Sequence, residues 1–316
     1  MDQNLKPQAI IDIGTNSARL LVYKIESNQI HTLHKTLRYT RMGEGVNETK
    51  RITAQAIERN VEAMGDFMTI CHDFEVSSIY AFGTSALRDA TNSDVFINQV
   101  KLQFDLDVHI ITGELEAKFG FIGVSQCYDA PILICDIGGG STELIYGQGD
   151  EMKALVSLDM GSVRGTEAFL RHDPPKADEI TELKNTFKSM LKHALEDFGK
   201  IEYLYLVGIG GTATTMATIH QALEVYDSQR VHGYRLNKRD VQGILVQLLS
   251  MTLEQRKKLK GLEPKRSDII IAGVCILQGI LEVLGSEELV VCDKDNLEGA
   301  AVYLDKRKKE KNKKTC

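Results

Sequence analysis

Two segments of the chain repeat one another. QAIIDIGTNSARLLV (residues 8–22) and ILICDIGGGSTELIY (residues 132–146) align at an offset of 124. The alignment brings Asp12 onto Asp136, Ile13 onto Ile137, Gly14 onto Gly138, Ser17 onto Ser141 and Leu20 onto Leu144. Each copy reads as an apolar strand, a glycine-containing loop of about five residues and a second apolar strand, which is the pattern of a β-hairpin. A hairpin that recurs at this spacing implies two related domains, each opening with it. The junction falls at SQCYDAP (125–131), which is rich in turn formers. We therefore expect one domain over 1–127 and a second over 128–305, with the last helix a candidate to pack back on the first domain.

Between the hairpins, helical and strand patterns alternate. TAQAIERNVEAMGDFMTICH (53–72) has helical apolar spacing behind Thr53, an expected N-cap, and SSIYAFGTSALR reads as a strand and loop. VHIITGELEAKFGFIGV reads as strand, turn and helix, and YLYLVGIGGTATTMATI as strand, glycine loop and helix. Helices are also expected over 176–198, 238–250 and 267–284. Strands alternating with helices, plus antiparallel opening hairpins, predict an α/β fold with mixed sheets flanked by helices.

The 316 residues are 43% hydrophobic and 26% charged, as in ordinary soluble domains. No apolar run approaches the roughly 18 residues of a membrane span, and the N-terminus lacks the pattern of a secretion signal. A cytoplasmic protein is expected. Six cysteines without C-x-x-C spacing read as reduced, mostly buried thiols and argue against zinc or disulfides. The net charge is −6, yet KRKKEKNKKTC (306–316) holds seven basic residues and one acid. That tail reads as a solvated, disordered end, or else as an attractor of polyanions.

The hairpin loops are the first candidates for chemistry. Glycines let successive N–H groups converge on an anion, and Asn16, Ser17, Ser141 and Thr142 add side-chain donors. Asp136 and Glu143 stand at the two feet of one loop, so both carboxylates lie near the same phosphate, an arrangement that suits Mg²⁺. A plain turn would explain one such loop; two copies, each led by an aspartate, favour a ligand. A third loop, VGIGGTATT (207–215), is neither a Walker A nor a dinucleotide fingerprint and fits a strand-to-helix turn equally well. In TGELEAKFG (112–120), Glu114 and Glu116 fall in a first helical turn, where they either complement the helix dipole or supply a general base. Arg88, in FGTSALRDATN (82–92), has the fork geometry that grips phosphate or is simply a solvated charge.

Two Asp-x-Gly hairpins followed by a later Gly-Gly loop resemble the layout of the superfamily of actin, sugar kinases and Hsp70 chaperones. DIGTNSARLLV, FGTSALRDATN, ITGELEAKFGFIGV, DIGGGSTELI and GSVRGTEAFL, in that order, resemble the exopolyphosphatase and guanosine pentaphosphate phosphohydrolase family in its short two-domain form. The resemblance implies two actin-like (ribonuclease H-like) domains with the active site in the interdomain cleft. It implies Mg²⁺-dependent hydrolysis, with Mn²⁺ as a substitute, of the terminal phosphate of inorganic polyphosphate. The alternatives are 5′-phosphohydrolysis of pppGpp and a non-enzymatic sensor of polyphosphate or (p)ppGpp. Asp136 and Glu143 match the metal positions, with Asp12 a further candidate. Glu116 matches the base, the second glutamate of the family's Glu-Glu-Ala step, with Glu114 as fallback because Leu115 stands where the family has the first. Arg88 matches a phosphate-contacting arginine. Asn16, Ser17, Gly138, Gly139, Gly140, Ser141 and Thr142 match phosphate-loop positions.

Longer relatives add helical domains beyond this length, and Leu297 replaces a common arginine. The GGTATT loop departs from the Ser-Gly-Thr that the family often has, so the resemblance assigns the Gly210-Gly211 loop no nucleotide contacts and leaves nucleotide binding there open. The implied partner is a polyanionic phosphate substrate, without DNA or membrane, acting on a homodimer, the commonest oligomer. Arg38, Arg41, Arg164 and Arg266 are candidates to guide that polyanion. An ATP-dependent kinase or ATPase of the same fold is the rival enzyme class.

Overall fold

The computed structural model describes residues 6–26, 29–196, 198 and 201–314. The chain divides into two compact units, one of residues 1–123 with 296–316, the other of residues 124–295. The division after Gly123 lies a few residues before the sequence-derived junction.

The first unit runs β1 (Gln8–Ile13), β2 (Ala18–Glu26), β3 (Gln29–Arg38), α1 (Val46–Thr49), α2 (Ala54–Asp73), β4 (Ile79–Gly83), α3 (Ser85–Asp89), α4 (Ser93–Phe104), β5 (Val108–Ile110) and α5 (Gly113–Ser125). The second runs β6 (Ile132–Ile137), β7 (Thr142–Gln148), β8 (Glu151–Leu158), α6 (Ser162–Phe169), α7 (Ala177–Leu195), β9 (Tyr205–Ile209), α8 (Gly210–His220), α9 (Ser228–Val231), β10 (Arg235–Asn237), α10 (Lys238–Leu249), α11 (Leu253–Arg256), a 3₁₀ turn (Pro264–Arg266), α12 (Ile270–Leu284) and β11 (Glu288–Val291). α13 (Asn296–Lys314) returns to the first unit.

The duplication seen in the sequence is a duplication of topology. The first sheet has the order β3-β2-β1-β4-β5 and the second β8-β7-β6-β9-β11-β10, so β6, β7, β8, β9 and β11 repeat β1 to β5, with β10 added at one edge. In both sheets a hairpin is antiparallel and the next two strands are parallel to its first strand. A register shift falls between Val22 and Tyr23 against β3 and between Tyr146 and Gly147 against β8, which are the same positions of the repeat. A bulge bends and twists a strand, so both copies carry the same bend.

Alternation along β1 places Ala9, Ile11 and Ile13 in one apolar cluster of the first unit and Ile10 in the other. The first cluster takes in Ala56, Met64 and Phe67 of α2, and Phe96 and Val100 of α4. The second is closed by Phe119 of α5 and by Leu297, Ala300 and Ala301 of α13. Leu297 is fully buried there. Gly299 packs so closely on α5 that a Cβ would meet the Phe119 carbonyl oxygen at 1.7 Å. The α13 helix continues through the stretch that composition marks as a disordered tail, as far as Lys314; residues 315–316 lie outside the described ones.

The core of the second unit is built from β6, α7, α8, α10 and α12, with Phe187, Met216, Leu245 and Ile276 among its buried residues. At the start of α7, Glu179 accepts from the amides of Arg171 (3.0 Å) and Lys176 (2.9 Å) and from His172 Nδ1 (2.7 Å). Burial raises its carboxyl pKa, but the bonds from His172, Lys176 and Arg171 outweigh that and hold it at about 2. A carboxyl depressed in this way contributes stability above its ordinary range and loses it as pH falls through its folded value. We expect the Tm of the wild type to fall more steeply than that of Glu179→Gln as pH drops from about 4.5 to 2; parallel slopes in thermal melts would remove Glu179 from the account.

Candidate active site

The second hairpin is built as a cradle. Ile137 pairs with Thr142 and Asp136 with Glu143, and the Gly138 N–H donates to the Ser141 carbonyl at 3.0 Å, closing the loop. Asp136 and Glu143 are thus direct cross-strand neighbours and share a sheet face. Glu143 is buried and accepts from Ser157 Oγ at 2.8 Å. The Thr142 hydroxyl donates to the Met160 carbonyl at 2.6 Å and is wholly buried, so it anchors the strand.

The orientation of the loop comes from α6. The Ser162 N–H donates to the Gly138 carbonyl (2.9 Å), and those of Val163 and Arg164 to the Gly139 carbonyl (2.9 and 3.1 Å). These amides open a helix and have no partner within it; here the loop carbonyls satisfy them. A trans peptide directs its N–H opposite to its C=O. Binding the carbonyls of Gly138 and Gly139 to α6 therefore turns the N–H groups of Gly139 and Gly140 to the other side of the loop, which is what an anion nest requires. Gly161 makes the approach feasible, since a Cβ there would meet the Gly139 and Gly138 carbonyl oxygens at 2.5 and 2.7 Å. Sequence reasoning used GSVRGTEAFL only as a family signature and missed this role; its Gly-Ser at a helix start was the available signal.

The third glycine loop joins the same region. α8 begins at Gly210, directly after β9. Gly210 has φ +72°, and a Cβ there would meet Asp136 Oδ1 at 2.5 Å. The Arg266 guanidinium lies against Gly211, where a Cβ would meet its Nη2 at 1.8 Å. Asp136, Glu143, the 138–141 loop, the start of α8 and Arg266 are therefore gathered at one end of the second sheet.

The first hairpin has the same closure, with the Gly14 N–H donating to the Ser17 carbonyl at 3.0 Å. Its feet differ. Asp12 faces Arg19, the repeat position of Glu143, and the two form an ion pair. The first copy thus holds a cation of its own where the second has two acids. Asn16 is buried, and among the described residues nothing accepts from its Nδ2. Thr15 Oγ1 is bonded to Ser85 Oγ at 2.8 Å, and the Asn16 carbonyl accepts from the Arg41 N–H at 3.1 Å.

Arg88 and Glu116 meet in the same unit. Arg88 Nη1 donates to the Ile111 carbonyl at 2.9 Å and stands 3.3 Å from Glu116 Oε2. The Glu116 side chain is 12% exposed, whereas Glu114, in the same turn, is exposed. Leu115 packs against the α5–α13 cluster. Of the other arginines, Arg38 pairs with Asp66 at 2.9 Å and Arg164 lies 3.4 Å from Asp159.

The model of the Ppx/GppA phosphatase family matches residues 21–307. The chain belongs to that family. Exopolyphosphatase 2 of Mycobacterium tuberculosis is 32% identical over 312 residues, covering 94% of this chain and 98% of that protein. The bifunctional 3-dehydroquinate synthase/phosphatase of Fusobacterium nucleatum is 36% identical, but the chain spans only 46% of it. The guanosine-5'-triphosphate,3'-diphosphate pyrophosphatase of Vibrio atlanticus is 28% identical and is spanned to 61%. The crystal structure of the Aquifex aeolicus family member aligns with a TM-score of 0.81 at 30% identity over 96% of this chain and 98% of that one. As in other Ppx/GppA proteins, the architecture is α/β, with two actin-like units whose mixed sheets are flanked by helices. No helix among the described residues is long and apolar enough to cross a membrane.

Proposed function

We propose that this Ppx/GppA family member is an exopolyphosphatase that removes the terminal phosphate of inorganic polyphosphate by water attack. The observation that carries the reading is the pairing of Asp136 with Glu143 at the foot of a loop whose Gly138 and Gly139 carbonyls are bound by α6. Phosphoryl transfer asks a protein for positioning and charge neutralisation more than for covalent chemistry. The amides of Gly139 and Gly140 and the Ser141 hydroxyl bind the oxygens of the terminal phosphate. The first hairpin offers donors of the same kind within its own unit, at Asn16 and Ser17. Arg88, steadied by the Ile111 carbonyl, contributes positive charge. Glu116 orients a water and takes its proton as the water oxygen bonds to phosphorus; the shortened chain departs with the electrons of the broken P–O bond.

The donor set fits a hard divalent cation, for which Mg²⁺ is the natural choice: two carboxylates directly across a strand pair, beside phosphate oxygens. Asp136 and Glu143 would hold it. Bound there, it would neutralise charge on the phosphate. Asp12, engaged by Arg19, fits this role less well. The second reading is pppGpp 5′-phosphohydrolysis, favoured by the 28% identity to the Vibrio pyrophosphatase.

Phosphate release is to be measured side by side on long polyphosphate, tripolyphosphate, pppGpp and ATP, with Mg²⁺ and with EDTA. Release from polyphosphate that EDTA abolishes is expected. Faster release from pppGpp selects the second reading, and binding of either compound without any phosphate release leaves only a sensor.

A further inference from the structure

Cys127, His232 and Cys292 lie 105 and 60 residues apart in the chain, so no motif announces them. The fold brings them together in the second unit. Cys127 follows α5 in a turn closed by its own N–H to the Val124 carbonyl at 2.9 Å. Cys292 follows β11, and its N–H donates to the Gly208 carbonyl of β9 at 2.9 Å. His232 ends α9, with its N–H on the Ser228 carbonyl at 2.8 Å. The next residues pair with the end of β11: the Gly233 N–H donates to the Val291 carbonyl and the Val291 N–H to the Tyr234 carbonyl, both at 2.8 Å. That ladder fixes His232 beside Cys292. One ligand atom from each of the three residues lies within 4.8 Å of the other two.

We propose that Cys127, His232 and Cys292 form a binding site for a single zinc ion, distinct from the phosphate loops. Two sulfurs and one imidazole are the donors that select zinc over hard cations such as Mg²⁺. Around a tetrahedral zinc with bonds of about 2.3 Å to sulfur, neighbouring donors stand about 3.5–3.8 Å apart. The observed spacing reaches this with small side-chain rotations. Two thiolates balance the charge of the ion, and the fourth position falls to water, since His232 is exposed while Cys292 is buried. The Asp293 N–H reaches His232 Nδ1 only at 3.4 Å, a bond weak enough to give up when the ring turns to the metal. The absence of C-x-x-C spacing argued against zinc at the level of sequence; that inference misses ligands assembled from three separate turns.

The site has a structural consequence. The chain enters the second unit after Gly123 and leaves it after Asp295. Cys127 and Cys292 sit a few residues inside these two crossings, so the ion ties the entering segment to the leaving one.

The test uses the full, tag-free chain, stripped with chelator under reductant and then titrated with zinc alone or cobalt alone. One zinc per chain is expected, with a thiolate-to-cobalt charge-transfer band and a higher Tm. Cys127→Ser and His232→Asn, at the less buried ligands, should each weaken zinc binding by roughly 100-fold or more. Phosphate release with Mg²⁺ is followed in parallel, so that a failed hydrolase assay is not mistaken for a failed zinc site. The proposal is overturned if the reduced chain takes up no zinc, if both variants bind it as the wild type does, or if the cobalt form lacks the sulfur band. Recovery of a Cys127–Cys292 disulfide from metal-free isolated protein would replace it with a redox pair.

Discussion

Replacing Glu116 by glutamine is expected to lower kcat for phosphate release by roughly 10²–10⁴-fold, the usual worth of general acid–base catalysis. Glutamine keeps the shape of the side chain and an oxygen for Arg88, so the 3.3 Å contact and the fold around it should survive. What it loses is the ability to take a proton from water. Glu114→Gln is the matched control: the same turn of α5 and the same change of charge, at an exposed position. A kcat near that of the wild type is expected for it. Circular dichroism of both variants checks folding, and steady-state phosphate release gives the ranking. If Glu114→Gln is the inactive one, or if both retain full turnover, Glu116 is not the base.

Gly161→Ala should be as damaging, although Gly161 carries no functional group. An added Cβ would lie 2.5–2.7 Å from two backbone oxygens, and neither atom is the end of a flexible side chain. Either α6 retreats from the loop or the loop turns, and in both cases the amides of Gly139 and Gly140 lose their direction. Misplacement by about 1 Å can cost roughly 10²-fold in rate, and we expect a loss of at least that order in kcat/KM. Gly243→Ala is the control. Gly243 lies within α10, a Cβ there meets nothing within 4 Å, and alanine is the better helix former by up to about 1 kcal/mol. Its activity should not change and its Tm should rise slightly. Full activity in Gly161→Ala would mean that the carbonyl-to-α6 bonds do not set the loop.

The repeated Asp-Ile-Gly segments made the hairpins legible, because strand–glycine–strand is a local pattern and register follows from the turn. The helices α2, α7, α10 and α12 lie where apolar spacing places them. Other features depend on pairing partners that no local pattern encodes. The direction of a peptide plane is not encoded in residue type, so for the part played by α6 the Gly-Ser at its start was the one local signal. Arg19 opposite Asp12 was within reach, since the offset that aligns the aspartates also aligns Arg19 with Glu143. The Thr142 hydroxyl looked available for phosphate, but its strand turns it inward to Met160. Leu297 stood out only as a departure from a common arginine, and its environment shows a core residue. In 306–314 the charges suggested a solvated coil, yet lysine, arginine and glutamate are good helix formers, and the Lys309–Asp305 pair at 2.5 Å supports the turn just before.

Because α13 supplies Leu297, Ala300 and Ala301 to the apolar face of the opening sheet, the first unit is discontinuous in the chain. On the ribosome its strands emerge first and wait for the whole of residues 124–295 to be made. At typical synthesis rates that interval is roughly 10–30 s. Throughout it Ile10, Leu21 and Phe82 lack their final cover. The second unit, encoded without interruption, is free to fold in the meantime, so the order in which the two halves mature is the reverse of the order in which they are begun.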